Sequence, residues 1–366
     1  MLVYKLVWEN LKHRPVRTLL SALAIGLGVT MMLTLVGVGE GMARDQQLRT
    51  RGVGADIIIR PAGSTVMSVT APSINEKLIA WVAEQKHVTL ATGVAVQGLG
   101  GFNTVHGVDY RTLNQMTGGF AYVEGGAFAE DRQEVIIDDY YAQEKNLHAG
   151  STVKILNKDW RVAGVFRSGK LTRMMLPIKI LQDLTANNGK VSIIYVKLDD
   201  PRNIEAVITE LKKTLPDYPI YSMADLVSQF AVNNVPELRM FIRLVAGLSV
   251  MFGFLIVFLS MYTAILERTR EIGILKALGA SSSYILGILI RETLFLALLG
   301  SAVGIGMSYG TRWLISVFIP ASFPQAIVYA WWPIAAGVTI GGALLGVLYP
   351  AMKAARQDAL ESLSYD

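Results

Sequence analysis

The sequence predicts an α-helical membrane protein with four transmembrane helices plus an extracytoplasmic α+β domain of two subdomains. Three observations carry this. The 366-residue chain is 52% hydrophobic and only 17% charged, with a mean hydropathy of +0.40, too apolar for a single soluble domain. Four uncharged stretches, 19–38, 244–266, 293–311 and 333–352, are long enough to cross a hydrocarbon core at 1.5 Å rise per residue. Between the first and second lies a polar stretch of domain size, 39–241, in which short alternating runs and amphipathic helical patterns take turns.

In chain order, 1–18 reads as an amphipathic helix leading into the membrane. Leu2, Val3, Leu6, Val7 and Leu11 recur at helical spacing, and Lys5, Lys12, Arg14 and Arg17 place positive charge before the bilayer. Residues 19–38 form the first span. A cleaved signal peptide is the competing reading. The apolar run exceeds a usual h-region and no Ala-x-Ala-like site follows near Gly39-Glu-Gly-Met-Ala-Arg44, so the segment reads as an anchor.

Within 39–241, strands are predicted at 55–59, 134–138, 152–156, 160–166 and 191–198, and a helix at 74–85 with Ile74, Leu78 and Trp81 on one face. Asp200-Pro201 opens a helix with proline at its first position and Ile204, Val207, Ile208, Leu211 and Leu215 along one stripe. Ser222 is placed to cap a last short helix before the membrane. The middle, about 97–184, is richer in glycine and short strands and reads as a subdomain inserted into the first.

The rest is membrane. After span 244–266 comes a charged segment, 267–283, whose Ile274 and Leu278 stand four apart on one helical face. Such a helix can lie on the membrane surface or dock in a partner's groove. The third span is 284–311 and the fourth 333–352. The connection 312–332 holds one basic residue and the aromatics Trp313, Phe318, Phe323, Tyr329, Trp331 and Trp332, an interfacial composition. Basic residues gather instead before the first span, at Arg268, Arg270 and Lys276, and at Lys353 and Arg356 in the tail 353–366. The positive-inside rule therefore sets both termini and the charged segment in the cytoplasm, with the large domain and 312–332 outside. Arg239 and Arg243 run against that bias, but long domains translocate largely regardless of charge.

Glycines recur four apart at Gly300/Gly304, Gly306/Gly310, Gly337/Gly341 and Gly342/Gly346, a spacing that lets helices approach closely. Packing within one bundle and contact between subunits both fit. Arg291-Glu292, at the start of the third span, reads as an interfacial pair able to snorkel or as a functional one.

Nothing points to catalysis. There is no cysteine, so neither disulfides nor thiolate metal sites are possible. His13, His87, His106 and His148 lack metal-ligand spacing, and His106-Gly-Val-Asp109 reads as solvated surface. A net charge of +5 is modest, and nucleic acid is not an expected partner. Gly164-Val-Phe-Arg-Ser-Gly-Lys-Leu171 imitates a P-loop and Val135-Ile-Ile-Asp138 a Walker B strand. Leu171 stands where magnesium needs a hydroxyl, the order is reversed, and Pro177 interrupts any following helix.

The stretch Glu267-Arg-Thr-Arg-Glu-Ile-Gly-Ile-Leu-Lys-Ala-Leu-Gly-Ala280 closely resembles the loop after the second span in the MacB/FtsX superfamily of ABC transporter permeases. Asn10-Leu-Lys-His-Arg-Pro-Val-Arg-Thr-Leu-Leu20, followed by Ile25-Gly26, is similar to the family's N-terminal helix and first span. Gly346-Val-Leu-Tyr-Pro-Ala-Met-Lys-Ala-Ala-Arg356 is similar to its C-terminal signature, and Gly150-Ser-Thr-Val-Lys-Ile with Trp160-Arg-Val-Ala-Gly-Val-Phe166 to its periplasmic core domain. Asp358-Ala-Leu-Glu-Ser-Leu363 departs from the family, which commonly has proline after the acidic residue.

The resemblance implies a non-enzymatic permease subunit of a bacterial cell membrane, the inner membrane if the cell has two. ATP hydrolysis, with ATP and magnesium, would belong to a separate cytoplasmic ABC ATPase. The other implied partners are a second permease subunit, identical or not, membrane lipid and a periplasmic adaptor protein. Glu267, Arg268, Arg270, Glu271, Ile274, Lys276, Leu278 and Gly279 would form the ATPase-coupling helix, supported by 349–356, while Gly300, Gly304, Gly337 and Gly341 would pack helices. Three functions are open: export or extraction of a hydrophobic or peptide-like substrate (lipoprotein, lipid, toxin or antimicrobial peptide), cargo-free activation of a cell-wall hydrolase or sensor kinase, and membrane tethering without an ATPase.

Overall fold

The structure is a computed structural model that describes residues 15–64, 73–100, 103–229, 236–267, 269–319 and 323–356. Two compact units emerge, one within Met1–Glu40, Pro236–Ile315 and Gln325–Asp366, the other Gly41–Val235 with Ser316–Pro324. Helix α1, Pro15–Arg51, supplies residues to both.

The second unit is built on a sheet. Its elements in order are β1 Ile57–Ile59, β2 Ile74–Asn75, α2 Lys77–Ala83, β3 Val88–Gly100, β4 Asn103–Val108, α3 Tyr110–Met116, β5 Tyr122–Gly125, β6 Glu134–Asp138, α4 Asp139–Lys145, β7 Thr152–Ile155, β8 Lys158–Phe166, β9 Met174–Pro177, α5 Ile178–Leu184, β10 Lys190–Val191, β11 Ile193–Leu198, α6 Ile204–Thr214, β12 Ile220–Ser222 and α7 Met223–Gln229. Ten strands form one sheet in the order β12-β1-β11-β3-β4-β9-β6-β8-β5, with β7 also on β8, while β2 and β10 pair separately. Pairs β4–β9 and β6–β8 are parallel and the other pairs antiparallel.

Both faces of this sheet are covered. Ile57 and Ile59 of β1 and Val135 and Ile137 of β6 enter one apolar cluster, whereas Ile58 and Ile136 enter the other. Strands buried on both sides read as continuous apolar runs, which is why 134–138 is legible as Val-Ile-Ile between two acids. The sheet runs unbroken through the β3–β4 pairing, across the boundary expected near residue 97.

Several boundaries move for local reasons. The helix expected from 74 starts at Lys77, because Ile74–Asn75 pairs with Lys190–Val191 and the Asn75 Oδ1 accepts the Lys77 N–H at 2.9 Å. Leu156 leaves the strand. It and Asn157 form a two-residue hairpin turn at φ 50° and 60°, the left-handed pair whose twist suits β7 and β8. Ser222 does cap α7, its Oγ accepting the Asp225 N–H at 3.0 Å.

The first unit is helical. It continues with α8 Pro236–Glu267, α9 Thr269–Ala277, α10 Ser282–Phe318 and α11 Trp331–Arg356. Among the described residues four helices are long and apolar enough to cross a membrane, namely α1, α8, α10 and α11. Helix α10 carries Arg312 and runs on to Phe318, past the expected end of its span at 311. A guanidinium near the end of a span can reach water along its own stem, so the charge does not stop the helix.

Candidate coupling site

Helix α9 is short and defined at its C-terminal end. The Leu278 N–H bonds Ile274 O at 3.0 Å, the Gly279 N–H bonds Lys276 O at 2.9 Å, and the Ala280 N–H bonds Leu275 O at 2.9 Å. Gly279 sits at φ 91°, the left-handed conformation of a helix C-cap, where glycine carries no Cβ penalty.

The helix has two apolar sides. Ile272, 7% exposed, is buried with Ile265 of α8, Ile285 and Leu289 of α10, and Val347, Ala351 and Ala354 of α11. Thr269 is buried too and its Oγ donates to Ile265 O at 3.0 Å. On the other side, Ile274 is 45% exposed, Leu275 37% and Leu278 80%. Lys276 is half-buried. Arg268, and the side chains of Glu267, Arg270 and Glu271, lie outside the described residues.

The C-terminal half of α11 supports this corner. The Ser282 Oγ donates to Ala355 O at 2.7 Å, tying the start of α10 to the end of α11. Lys353 Nζ lies 3.5 Å from the Tyr262 Oη and 5.2 Å from its ring centroid. Arg291 folds back to Gly287 O at 3.0 Å and remains exposed, whereas Glu292 is buried at 7% exposure.

Two of the four glycines assigned to packing perform it within the chain. A Cβ on Gly300 would stand 2.6 Å from the Ile25 side chain, and one on Gly304 would stand 2.5 Å from Gly26 O. Thr30 Oγ fastens the same crossing by donating to Gly26 O at 2.8 Å and Gly304 O at 3.0 Å. Among the described residues, Gly337 and Gly341 pack against no other helix of this chain, since a Cβ on either would meet nothing within 4 Å. Their neighbours Gly342 and Gly346 face α8 instead, a Cβ on Gly346 lying 2.6 Å from Phe254 O. The rotation of α11 about its axis selects one of two overlapping patterns.

In the sheet unit the P-loop imitation takes another form. Gly164 lies within β8, the segment leads to strand β9 and not to a helix, and Lys170 Nζ donates to the carbonyls of Thr117 and Gly119 and lies 5.5 Å from the Phe120 ring centroid. His106 is half-buried on β4 with its Nδ1 enclosed and without a hydrogen-bond partner. Burial, helped by the nearby Arg49, pushes its imidazole down to about 3, so it stays neutral. Asp109 instead caps α3, accepting the Thr112 N–H at 2.8 Å. Among the described residues no three His, Asp or Glu side chains group as metal ligands.

Sequence reasoning missed a buried ionic cluster in this unit. Arg173 donates to Asp45 and to Asp138, each at 2.9 Å, and Arg49 pairs with Asp45 at 3.0 Å. Asp138 also accepts the Tyr141 N–H at 2.8 Å as the cap of α4. Burial pushes its carboxyl up to about 6 against the pull of Arg173. The i, i+4 spacing of Asp45 and Arg49 was the visible signal, but Arg173, which joins Asp45 to Asp138, lies 128 residues from Asp45.

Two family models cover most of the chain: MacB-like periplasmic core domain matches residues 18–214 and FtsX-like permease C-terminal matches residues 243–359. The chain belongs to the MacB/FtsX family of ABC transporter permeases. This permease is 25% identical to an uncharacterized ABC transporter permease of Methanocaldococcus jannaschii, over 97% of this chain and 96% of that one. It is 26% identical to the macrolide export ATP-binding/permease protein MacB of Escherichia coli, over 97% of this chain. The match spans 59% of that relative's length. The periplasmic region of MacB from Actinobacillus actinomycetemcomitans, a crystal structure, aligns with 50% of this chain and 96% of its own at 18% identity and a TM-score of 0.38. The MacB/FtsX permease is thus a multi-pass membrane protein with an extracytoplasmic sheet domain.

Proposed function

We propose that this permease relays ATP-driven motion of a separate cytoplasmic ABC ATPase to its outer domain, and so exports or extracts a hydrophobic or peptide-like substrate. Helix α9 is the receiver. Ile274 and Leu278 seat in a groove of the ATPase, with Arg270 and Glu271 on its rim, and both chain termini lie on that cytoplasmic side. The working unit is a dimer with a second permease subunit. The signal passes through the spans to the outer domain, which acts on the substrate outside the membrane.

The observation that supports the reading is the two-sided character of α9. A helix merely resting on lipid needs one apolar face, and here Ile272 already spends that face on the bundle. The second apolar side, Ile274 and Leu278, is left for another partner. Burying each of those side chains contributes roughly 1.5–3 kcal/mol.

Leu278→Asp tests this. It removes that burial and sets a charge in an apolar contact, costing several kcal/mol of association. The variant is expected to insert and fold but to lose its co-purifying ATPase and its ATP-dependent activity, while Leu215→Asp in the outer domain keeps the ATPase bound. Undiminished recovery of the ATPase with Leu278→Asp, and normal ATP-dependent activity, would remove the coupling role.

A further inference from the structure

The loop between β8 and β9, together with Asp138, has the look of a nucleotide site in sequence and holds the end of a helix in the fold. Three contacts join it to the last turns of α1. Gly52 and Gly169 touch backbone to backbone, so closely that a Cβ on Gly52 would stand 1.9 Å from Gly169 O. The Leu171 N–H donates to Arg49 O at 3.0 Å. Arg173 reaches Asp45 of α1 with Nη2 and Asp138 of β6 with Nη1, both at 2.9 Å. Arg49 closes the cluster on Asp45.

The loop is itself anchored to the sheet. The Ser168 N–H donates to the Asp139 Oδ1 at 3.0 Å, and Lys170 holds the carbonyls of Thr117 and Gly119. Asp138 belongs to β6 and α4 at once, and Arg173 precedes β9 directly. One guanidinium therefore bridges the helix and two neighbouring strands.

Stability alone is a weak reason for such a cluster, since a buried ion pair is often no better than well-packed apolar side chains. What it supplies is direction. An apolar contact keeps its energy when two surfaces slide past each other. A planar fork on two carboxylates loses its hydrogen bonds when either moves, because their strength depends steeply on distance and angle. The same Asp45, Asp138 and Arg173 residues are 7%, 1% and 8% exposed, so water does not replace what motion would break.

We propose that Arg173 is the positioning residue that locks the end of α1 to the sheet, so that displacement of α1 moves β6 and β9 with it. This rests on the reading that ATP-driven motion travels through α1, and the test separates the two. The chain has no cysteine, so spin labels at Leu48→Cys, exposed on α1, and Lys154→Cys, exposed on β7, report one distance. The complex of permease and ATPase is measured by pulsed electron paramagnetic resonance in lipid, without nucleotide and with ATP and vanadate.

The otherwise unmodified complex is expected to give one narrow distance, the same in both states, while the Lys154→Cys label moves relative to a lipid-anchored quencher. Arg173→Lys keeps a positive charge between the carboxylates but not the fork. It is expected to melt close to the parent, to broaden the distance, to shift it with nucleotide, and to lose the movement of the label. Arg173→Met leaves two buried carboxylates facing each other and is expected to unfold the outer domain. A distance that stays narrow in Arg173→Lys, with the label still moving, overturns the assignment to Arg173. So does an Arg173→Lys domain that melts early, which would make the residue structural only. A label that never moves in the parent complex, with the distance still narrow, overturns the relay itself.

Discussion

Lys170 shows how little a residue's type says about its work. In sequence it stands where a phosphate-binding lysine would, but its ammonium is committed to two main-chain carbonyls and an aromatic face. Lys170→Ala is therefore expected to leave ATP hydrolysis by the assembled complex within about twofold, since a true P-loop lysine contacts the phosphates and its loss would nearly abolish turnover. The same substitution leaves those carbonyls unpaired and lowers outer-domain stability by about 1–3 kcal/mol, which denaturant melting would read. His106 and Asp138 make a second residue-scale forecast. The folded chain holds the Asp138 proton up to about 6, against about 3.9 when unfolded, so this group makes stability fall as pH rises through that window. His106 titrates near 3 when folded and near 6.5 when unfolded, so it makes stability rise with pH over an overlapping window. Each slope approaches about 1.4 kcal/mol per pH unit, and they oppose. From about pH 4 to 6 their combined slope is expected to be close to flat. Asp138→Asn should expose the rising slope and His106→Gln the falling one, in denaturant melts across that range. Two variants with equal slopes would contradict both assignments.

Among the elements, the helices were the most legible and their rotations the least. Twenty uncharged residues at 19–38 announce a span, and Asp200-Pro201 announces the entry to α6, although the proline lies in a 3-10 turn at 201–203 before the α-helix itself. Glycines four apart announce close packing but not which pair does it. The i, i+4 rows containing Gly337/Gly341 and Gly342/Gly346 differ by about 100° around α11, and only the contact with α8 decides between them. Gly304→Leu is expected to push α1 from α10 and destabilise the helical unit, since even a Cβ there overlaps Gly26 O. Gly337→Leu should leave that unit's melting unchanged. Equal losses in thermal melts of the two purified variants would refute the distinction. Strands were found where both faces are apolar, as at 134–138, and trimmed where a turn intruded, as at Leu156. Their partners could not be read at all. The parallel pairs β4–β9 and β6–β8 join segments across long stretches of chain, and no local pattern encodes which strands meet.

For the whole molecule, composition and charge placement carried the class and a topology. The expectation is that Lys5, Lys276 and Lys353 share the cytoplasmic side while Lys145 lies outside, from the crowding of basic residues near three span ends. Single cysteines at these four positions, probed with an impermeant thiol reagent on intact cells, should label only at 145, and outside labelling at 276 would sink that topology. The candidate coupling surface was half legible. The four-residue spacing of Ile274 and Leu278 was plain, whereas the burial of Ile272 among α8, α10 and α11 needed the fold, because it depends on three helices distant in sequence. The cluster on Arg173 needed it more, since each of its charges has an ordinary surface reading until the chain closes on them.

Helix α1 has a mechanical consequence of its own. Its 37 residues run without an internal proline, about 55 Å at 1.5 Å per residue, while a bilayer's hydrocarbon core takes up about 30 Å. About 25 Å of helix is thus left beyond what a hydrocarbon core takes up, and one unbroken run of backbone carries both the apolar stretch 19–38 and the last turns whose Asp45 holds Arg173.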